Sequence, residues 1–67
     1  MDQMTELDRF LRRPEVEQTI GVSKPMLYKM IAAGKFPRPV KLGDASVWSA
    51  REIAEWMRGK LTERTTV

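Results

Sequence analysis

Two prolines within residues 36–39, Phe-Pro-Arg-Pro, divide this chain into two parts. A proline ring clashes with the preceding turn of a helix and carries no N–H, so no helix continues through this run. Apolar residues before it recur at helical spacing, whereas residues 40–42, Val-Lys-Leu, alternate apolar and basic. We therefore expect helices before the prolines and a β-hairpin directly after them.

The first predicted helix is short and begins at Pro14, because the missing N–H of a proline would be unpaired at that position in any case. Val16 and Ile20 are four residues apart and mark one apolar face. Gly21 ends the helix, since glycine readily adopts the left-handed conformation found at helix C-termini. Residues 9–13 before it are predicted as a strand or as an extended lead-in.

The second predicted helix spans residues 24–33, between the capping residue Ser23 and the terminating Gly34. At about 100° per residue, its apolar side chains form one stripe: Met26, Leu27, Met30 and Ile31. The opposite side carries small, basic or hydroxyl-bearing residues: Pro25, Tyr28, Lys29 and Ala32. One side can therefore pack on the domain while the other approaches a ligand.

A hairpin and a third helix are predicted after the proline run. Residues 40–42 and 46–48 form the arms of the hairpin, and residues 43–44, Gly-Asp, form its turn. Ser49 begins the third helix, with Glu52 as the other half of a capping box. The apolar stripe of this helix consists of Ile53, Trp56, Met57 and Leu61.

Together these elements predict a small α+β domain of three helices and a two-stranded hairpin over residues 9–61. Residues 1–8 are expected to form a disordered tail and residues 62–67 a flexible one. The predicted core consists of Leu11, Val16, Ile20, Val22, Leu27, Met30, Ile31, Phe36, Val40, Leu42, Trp48, Ile53, Trp56 and Met57.

The absence of cysteine and histidine from these 67 residues excludes several classes of function. No disulfide framework, thiol nucleophile or zinc site is available. No apolar run is long enough to cross a bilayer, and the N-terminus does not resemble a signal peptide. We expect a cytoplasmic protein without cofactor, membrane partner or small-molecule substrate. Glu52 and Glu55 are explained by capping and by a solvated face, so we also expect no catalysis.

Charge is concentrated in the middle of the chain, although the net charge is only +3. Residues 18–51 hold six basic residues and one acidic residue, whereas residues 1–17 have a net charge of −2. Such a segment can attract a polyanion, or it can be an ordinary solvated surface.

The order of the predicted elements favours the interpretation that the basic segment binds a polyanion. A short helix, a glycine turn and an amphipathic second helix form a helix-turn-helix pattern, whose second helix enters the DNA major groove. Two helices and a glycine turn also occur in unrelated folds. The basic hairpin that follows, as in winged versions of the motif, makes double-stranded DNA the favoured ligand.

The sequence resembles the AlpA family of prophage-type regulators and excisionase-like proteins, which have a winged, MerR-like helix-turn-helix. The resemblance covers residues 9–61, and its most diagnostic part is Gly-x-Phe-Pro-x-Pro-x-x-Leu-Gly at residues 34–43. The other matching segments are residues 13–16, 20–23, 27–31, Trp48 and 52–56. The chain differs from the family's pattern at Pro25, Met26 and Asp44.

The resemblance implies a DNA-binding regulator of mobile-element genes, with residues 24–33 as its recognition helix. An alternative role is that of a recombination directionality factor, which bends attachment-site DNA together with an integrase. No segment of the chain forms a coiled coil, so specific binding is expected to need several copies side by side on DNA.

Nine residues are predicted to contact DNA: Ser23, Lys24, Pro25, Tyr28, Lys29, Lys35, Arg38, Lys41 and Ser46. Ser23 also serves as a cap. Arg12 and Arg13 could touch the backbone or could be solubilising charges beside the first helix. Trp48 and Trp56 could stack on bases, but a domain this small needs its large apolar groups inside.

Two further functions would use the same fold without binding duplex DNA. A protein-interaction module would leave the proposed recognition helix without a role in DNA affinity. A small RNA-binding protein would bind RNA more tightly than duplex DNA of equal length, and this alternative is disfavoured because the aromatic residues are expected to be buried.

Overall fold

Three helices and a three-stranded antiparallel sheet make up residues 8–64, the part of the chain that the computed structural model describes. The elements are β1 (Phe10–Arg12), α1 (Arg13–Ile20), α2 (Lys24–Ala32), β2 (Val40–Leu42), β3 (Ala45–Ser49) and α3 (Ala50–Glu63). The predicted α+β class is confirmed. Of the tails predicted at residues 1–8 and 62–67, residues 1–7 and 65–67 lie outside the described residues, and α3 continues two residues past the predicted domain boundary at 61.

The sheet has the strand order β1-β3-β2, so the predicted hairpin is joined by a third strand. Leu11 lies opposite Trp48 and Arg12 lies opposite Val47, which shows that the segment before α1 is a strand and not only an extended lead-in. Gly43, with φ of 61°, begins the two-residue turn between β2 and β3. Glycine at this position suits a tight hairpin turn.

The core lies between the three helices and one face of the sheet. Its buried side chains are those of Leu11, Val16, Leu27, Phe36, Trp48 and Ile53, all six of them predicted. Six more predicted members pack against this cluster while partly exposed: Ile20, Val22, Met30, Ile31, Trp56 and Met57.

Val40 and Leu42 were wrongly assigned to the core, since they are 44% and 50% exposed. Side chains alternate between the two faces of a strand, and Lys41 is the β2 residue on the same face as Trp48. Val40 and Leu42 therefore lie on the outer face. Val47 also lies on that face, yet it is only 4% exposed between its cross-strand neighbours, and the prediction omitted it.

The N-terminus of α2 differs in one detail from the prediction. Ser23 occupies the N-cap position, but its hydroxyl accepts no capping hydrogen bond. Pro25 stands at the second helical position and has no N–H, which removes one of the two donors that a capping hydroxyl normally uses. The Ser23 carbonyl instead accepts a hydrogen bond from the Leu27 N–H at 2.9 Å.

The N-terminus of α3 is capped from two directions. The Ser49 hydroxyl accepts a hydrogen bond from the Glu52 N–H at 3.1 Å, as the predicted capping box requires. Asp8 accepts hydrogen bonds from the Ser49 hydroxyl and, at 2.9 Å, from the Arg51 N–H. These hydrogen bonds, with that from Ser49 first, lower the pKa of the Asp8 carboxyl. Asp8, predicted as the last residue of a tail, is thus tied to α3.

The turn between α1 and α2 depends on Gly21, which ends α1 with φ of 74°. Its N–H donates to the Glu17 carbonyl at 2.8 Å. A left-handed backbone costs other L-residues roughly 1–2 kcal/mol. We expect Gly21→Ala to lower the free energy of unfolding by that amount, measured by urea denaturation, although no atom would contact the added methyl group.

Gly59 provides the matched control. It lies inside α3 and also has open space around it, but its φ is not positive. Gly59→Ala is expected to raise the free energy of unfolding by about 0.5–1 kcal/mol. Equal effects of the two substitutions would show that the conformation of Gly21 does not limit stability.

Candidate nucleic-acid interface

Helix α2 presents one buried side and one exposed side. Leu27 is fully buried against the core, whereas Lys24, Lys29 and Tyr28 are exposed, Tyr28 by 39%. The prediction that the apolar stripe packs on the domain is confirmed for Leu27, which is buried, and in part for residues 30–31, which are half-buried. Met26 is an exception and is exposed. The exposed side of α2 therefore combines two ammonium groups with a phenol.

Two indole groups hold the segment that joins α2 to the hairpin. Trp48 donates from Nε1 to the Pro37 carbonyl at 2.9 Å, and Trp56 donates from Nε1 to the Lys35 carbonyl at 2.8 Å. Phe36 packs edge-on against Trp56, with ring centroids 4.7 Å apart. These contacts set the position of the hairpin relative to α2. Trp48, buried and hydrogen-bonded, is not available to stack on a base.

An open cleft of about 370 Å³ separates the N-terminus of α1, the exposed side of α2 and the tip of the hairpin. Its lining residues are Arg12, Arg13, Pro14, Tyr28, Asp44, Ala45 and Ser46. The cleft thus brings together two predicted contact residues, Tyr28 and Ser46, that are distant in sequence. The other predicted contact residues lie outside it.

The cleft also contains Arg12 and Arg13, for which the sequence allowed two interpretations. They reach it because β1 pairs with β3, which places Arg12 opposite Val47 and beside the hairpin. The short apolar stretch between basic residues at residues 9–13 was the sequence signal for that strand. Predicting its partner strand would have indicated this position for the two arginines.

The basic residues predicted to contact DNA are exposed: Lys24, Lys29, Lys35, Arg38 and Lys41. Within residues 8–64 none of them forms an ion pair, since the pairs found there are Arg13 with Glu17 and Lys60 with Glu63. Lys41 donates from Nζ to the Ser46 hydroxyl at 3.2 Å, which joins two predicted contact residues on neighbouring strands. Unpaired exposed cations are suited to binding phosphate groups.

The described part of the chain contains neither a cluster of metal-ligating side chains nor a helix suited to a membrane. Among residues 8–64, no three or more acidic, histidine or cysteine side chains come together as metal ligands would. None of the helices in this range has the length and apolar character needed to cross a membrane.

A helix-turn-helix with an exposed second helix, followed by a small sheet, is a winged helix-turn-helix fold. The model of the family described as prophage CP4-57 regulatory protein (AlpA) matches residues 9–61, and the chain belongs to this family. The predicted resemblance is confirmed over the same residues.

One relative is an uncharacterized protein, ORF88, of Enterobacteria phage P4, which is 41% identical over 58 residues. The alignment covers 85% of this chain and 66% of the phage protein, so the chain spans slightly less than two thirds of that relative. No solved structure matches the chain.

Proposed function

We propose that this protein binds duplex DNA sequence-specifically and regulates genes of a prophage or related mobile element, without catalysing a reaction. The exposed side of α2 carries this proposal, because Lys24, Tyr28 and Lys29 are exposed while Leu27 is buried, and Tyr28 lines the cleft at the hairpin tip. Membership of a prophage regulatory family supports it.

In this function α2 enters the major groove, as second helices of this motif do. Tyr28 and Lys29 contact base edges or phosphates. The N-terminus of α2 lies near the DNA backbone and carries Ser23, Lys24 and Pro25. Lys35 and Arg38 on the connecting segment, and Lys41 and Ser46 on the hairpin, contact the flanking phosphates. Phosphate contacts orient the protein, and contacts to bases give specificity.

A single motif of this size neutralises few phosphates, so binding is modest and falls steeply with salt. Several copies on repeated sites would raise the affinity for a particular region of DNA. The same contacts serve a regulator and an excision factor that acts with an integrase, and the position of the binding sites distinguishes these two roles.

The experiment that tests this function is a genomic selection. Purified protein is mixed with fragmented duplex DNA of its source at near-physiological salt, and the retained fragments are sequenced. We expect sharp enrichment of a few sites. Sites at promoters indicate regulation, and sites at an attachment region indicate excision. If the folded protein enriches nothing, duplex DNA alone is not its ligand, and a protein-interaction function replaces the proposal.

A further inference from the structure

We propose that the cleft between α1, α2 and the hairpin tip seats one phosphate of the DNA backbone, which Arg12 and Arg13 hold. This inference rests on the proposed function and assigns residues outside the predicted contact set. The cleft lies between the exposed side of α2 and the hairpin, where a DNA strand leaving the major groove would pass.

Arg13 is positioned within this cleft by a neighbouring carboxylate. Its Nε donates to Oε2 of Glu17 at 2.8 Å, one helical turn along α1, and the side chain remains 37% exposed. A guanidinium has five N–H donors in a planar arrangement, so this bond leaves four for another acceptor. A guanidinium held on one edge is already oriented for an anion on the other.

Arg12 supplies the second positive charge. Its backbone N–H donates to the Glu15 carboxylate at 3.0 Å, which fixes the start of α1. Its side chain is exposed and forms no hydrogen bond or ion pair within residues 8–64. Arg12 can therefore bind a phosphate without breaking a hydrogen bond or ion pair to any residue of the described range. Tyr28 and Ser46 add two hydroxyl donors to the same cleft.

Asp44 lines the cleft as well and has the opposite charge. A carboxylate beside a bound phosphate repels it, and in a shared cleft this repulsion is screened less than in open solvent. The residues that line the cleft thus carry two positive charges and one negative charge, and the Glu17 carboxylate lies beside Arg13. This composition predicts opposite effects of substitutions on its two walls, and substitutions of the same charge type on α3 separate these effects from those of net charge.

The test measures dissociation constants for the selected fragment and for unrelated duplex of equal length, over a range of salt concentrations. Arg12→Gln with Arg13→Gln is expected to weaken binding to both DNAs by about tenfold or more. The slope of log affinity against log salt should fall by about one, as for the loss of one phosphate contact. Asp44→Asn should tighten binding to both.

Matched controls separate the site from net charge. Arg58→Gln and Glu55→Gln make the same kinds of change on the exposed surface of α3, away from the cleft, and should leave affinity nearly unchanged. If the double variant loses helix content in circular dichroism, Arg12→Gln alone tests the site, because that side chain forms no hydrogen bond or ion pair within residues 8–64.

Unchanged affinity and salt slope in a folded Arg12→Gln, Arg13→Gln variant would overturn the phosphate site and leave the proposed function intact. Weakening by Arg58→Gln equal to that by the cleft variants would also overturn it. If the unmodified protein binds neither DNA, the proposed function itself fails, and the phosphate site fails with it.

Discussion

Trp48→Ala is expected to lower the free energy of unfolding of the protein by roughly 3–5 kcal/mol. The indole is fully buried in the core and its Nε1 donates to the Pro37 carbonyl. Truncating a buried tryptophan to alanine costs roughly 3–5 kcal/mol. A domain of this length has a total stability of roughly 3–10 kcal/mol, so one substitution removes a large part of it. Far-UV circular dichroism with urea denaturation measures the effect.

Two phenylalanine substitutions serve as controls. Trp48→Phe keeps an aromatic ring in the core but removes the N–H that donates to the Pro37 carbonyl. Its effect on the free energy of unfolding should therefore be intermediate. Trp56→Phe removes the bond to Lys35 from a partly exposed ring and should cost less. A urea midpoint of Trp48→Ala close to that of the unmodified protein would show that the core does not depend on this side chain.

The second large effect is expected from reversing the charges of α2. Lys24→Glu with Lys29→Glu should reduce affinity for the selected fragment by about 100-fold or more at near-physiological salt, because two attractions to phosphate become repulsions. Both side chains are exposed, and the fold should persist. Fluorescence anisotropy with labelled duplex measures the affinity, and circular dichroism checks the fold.

Arg58→Glu with Arg64→Glu makes the same change in net charge at the C-terminal end of α3, where Arg64 is the capping residue. This control variant should weaken binding far less, since α3 lies outside the proposed interface. Equal losses in the two double variants would mean that overall charge, and not α2, determines DNA affinity. That result would remove α2 as the recognition helix.

The sequence predicted the helix-turn-helix well because its determinants are local. Gly21 and Gly34 both adopt φ of 74°, and the prolines of residues 36–39 exclude helix beyond α2. Buried Leu27 follows from helical periodicity. The family resemblance rested in part on these residues.

Features that depend on contacts distant in sequence were harder to predict. The pattern Val-Lys-Leu of β2 indicates that its side chains alternate between two faces, but it does not indicate which face packs on the helices. Val40 and Leu42 were therefore predicted on the buried face, whereas they lie on the exposed one. Likewise, the pairing of β1 with β3 joins residues almost forty positions apart. Without that pairing, Arg12 and Arg13 could not be assigned to the cleft.

The two indole bonds to the connecting segment have a consequence for how the protein meets its target. Because the carbonyl groups of Lys35 and Pro37 are both hydrogen-bonded to tryptophan side chains, the distance between α2 and the hairpin is restrained. In the proposed complex the duplex would then supply the adjustment, through the width of its grooves and its curvature. Because the energy of such deformation varies with base sequence, stiff and flexible base steps would be discriminated even where no side chain touches a base.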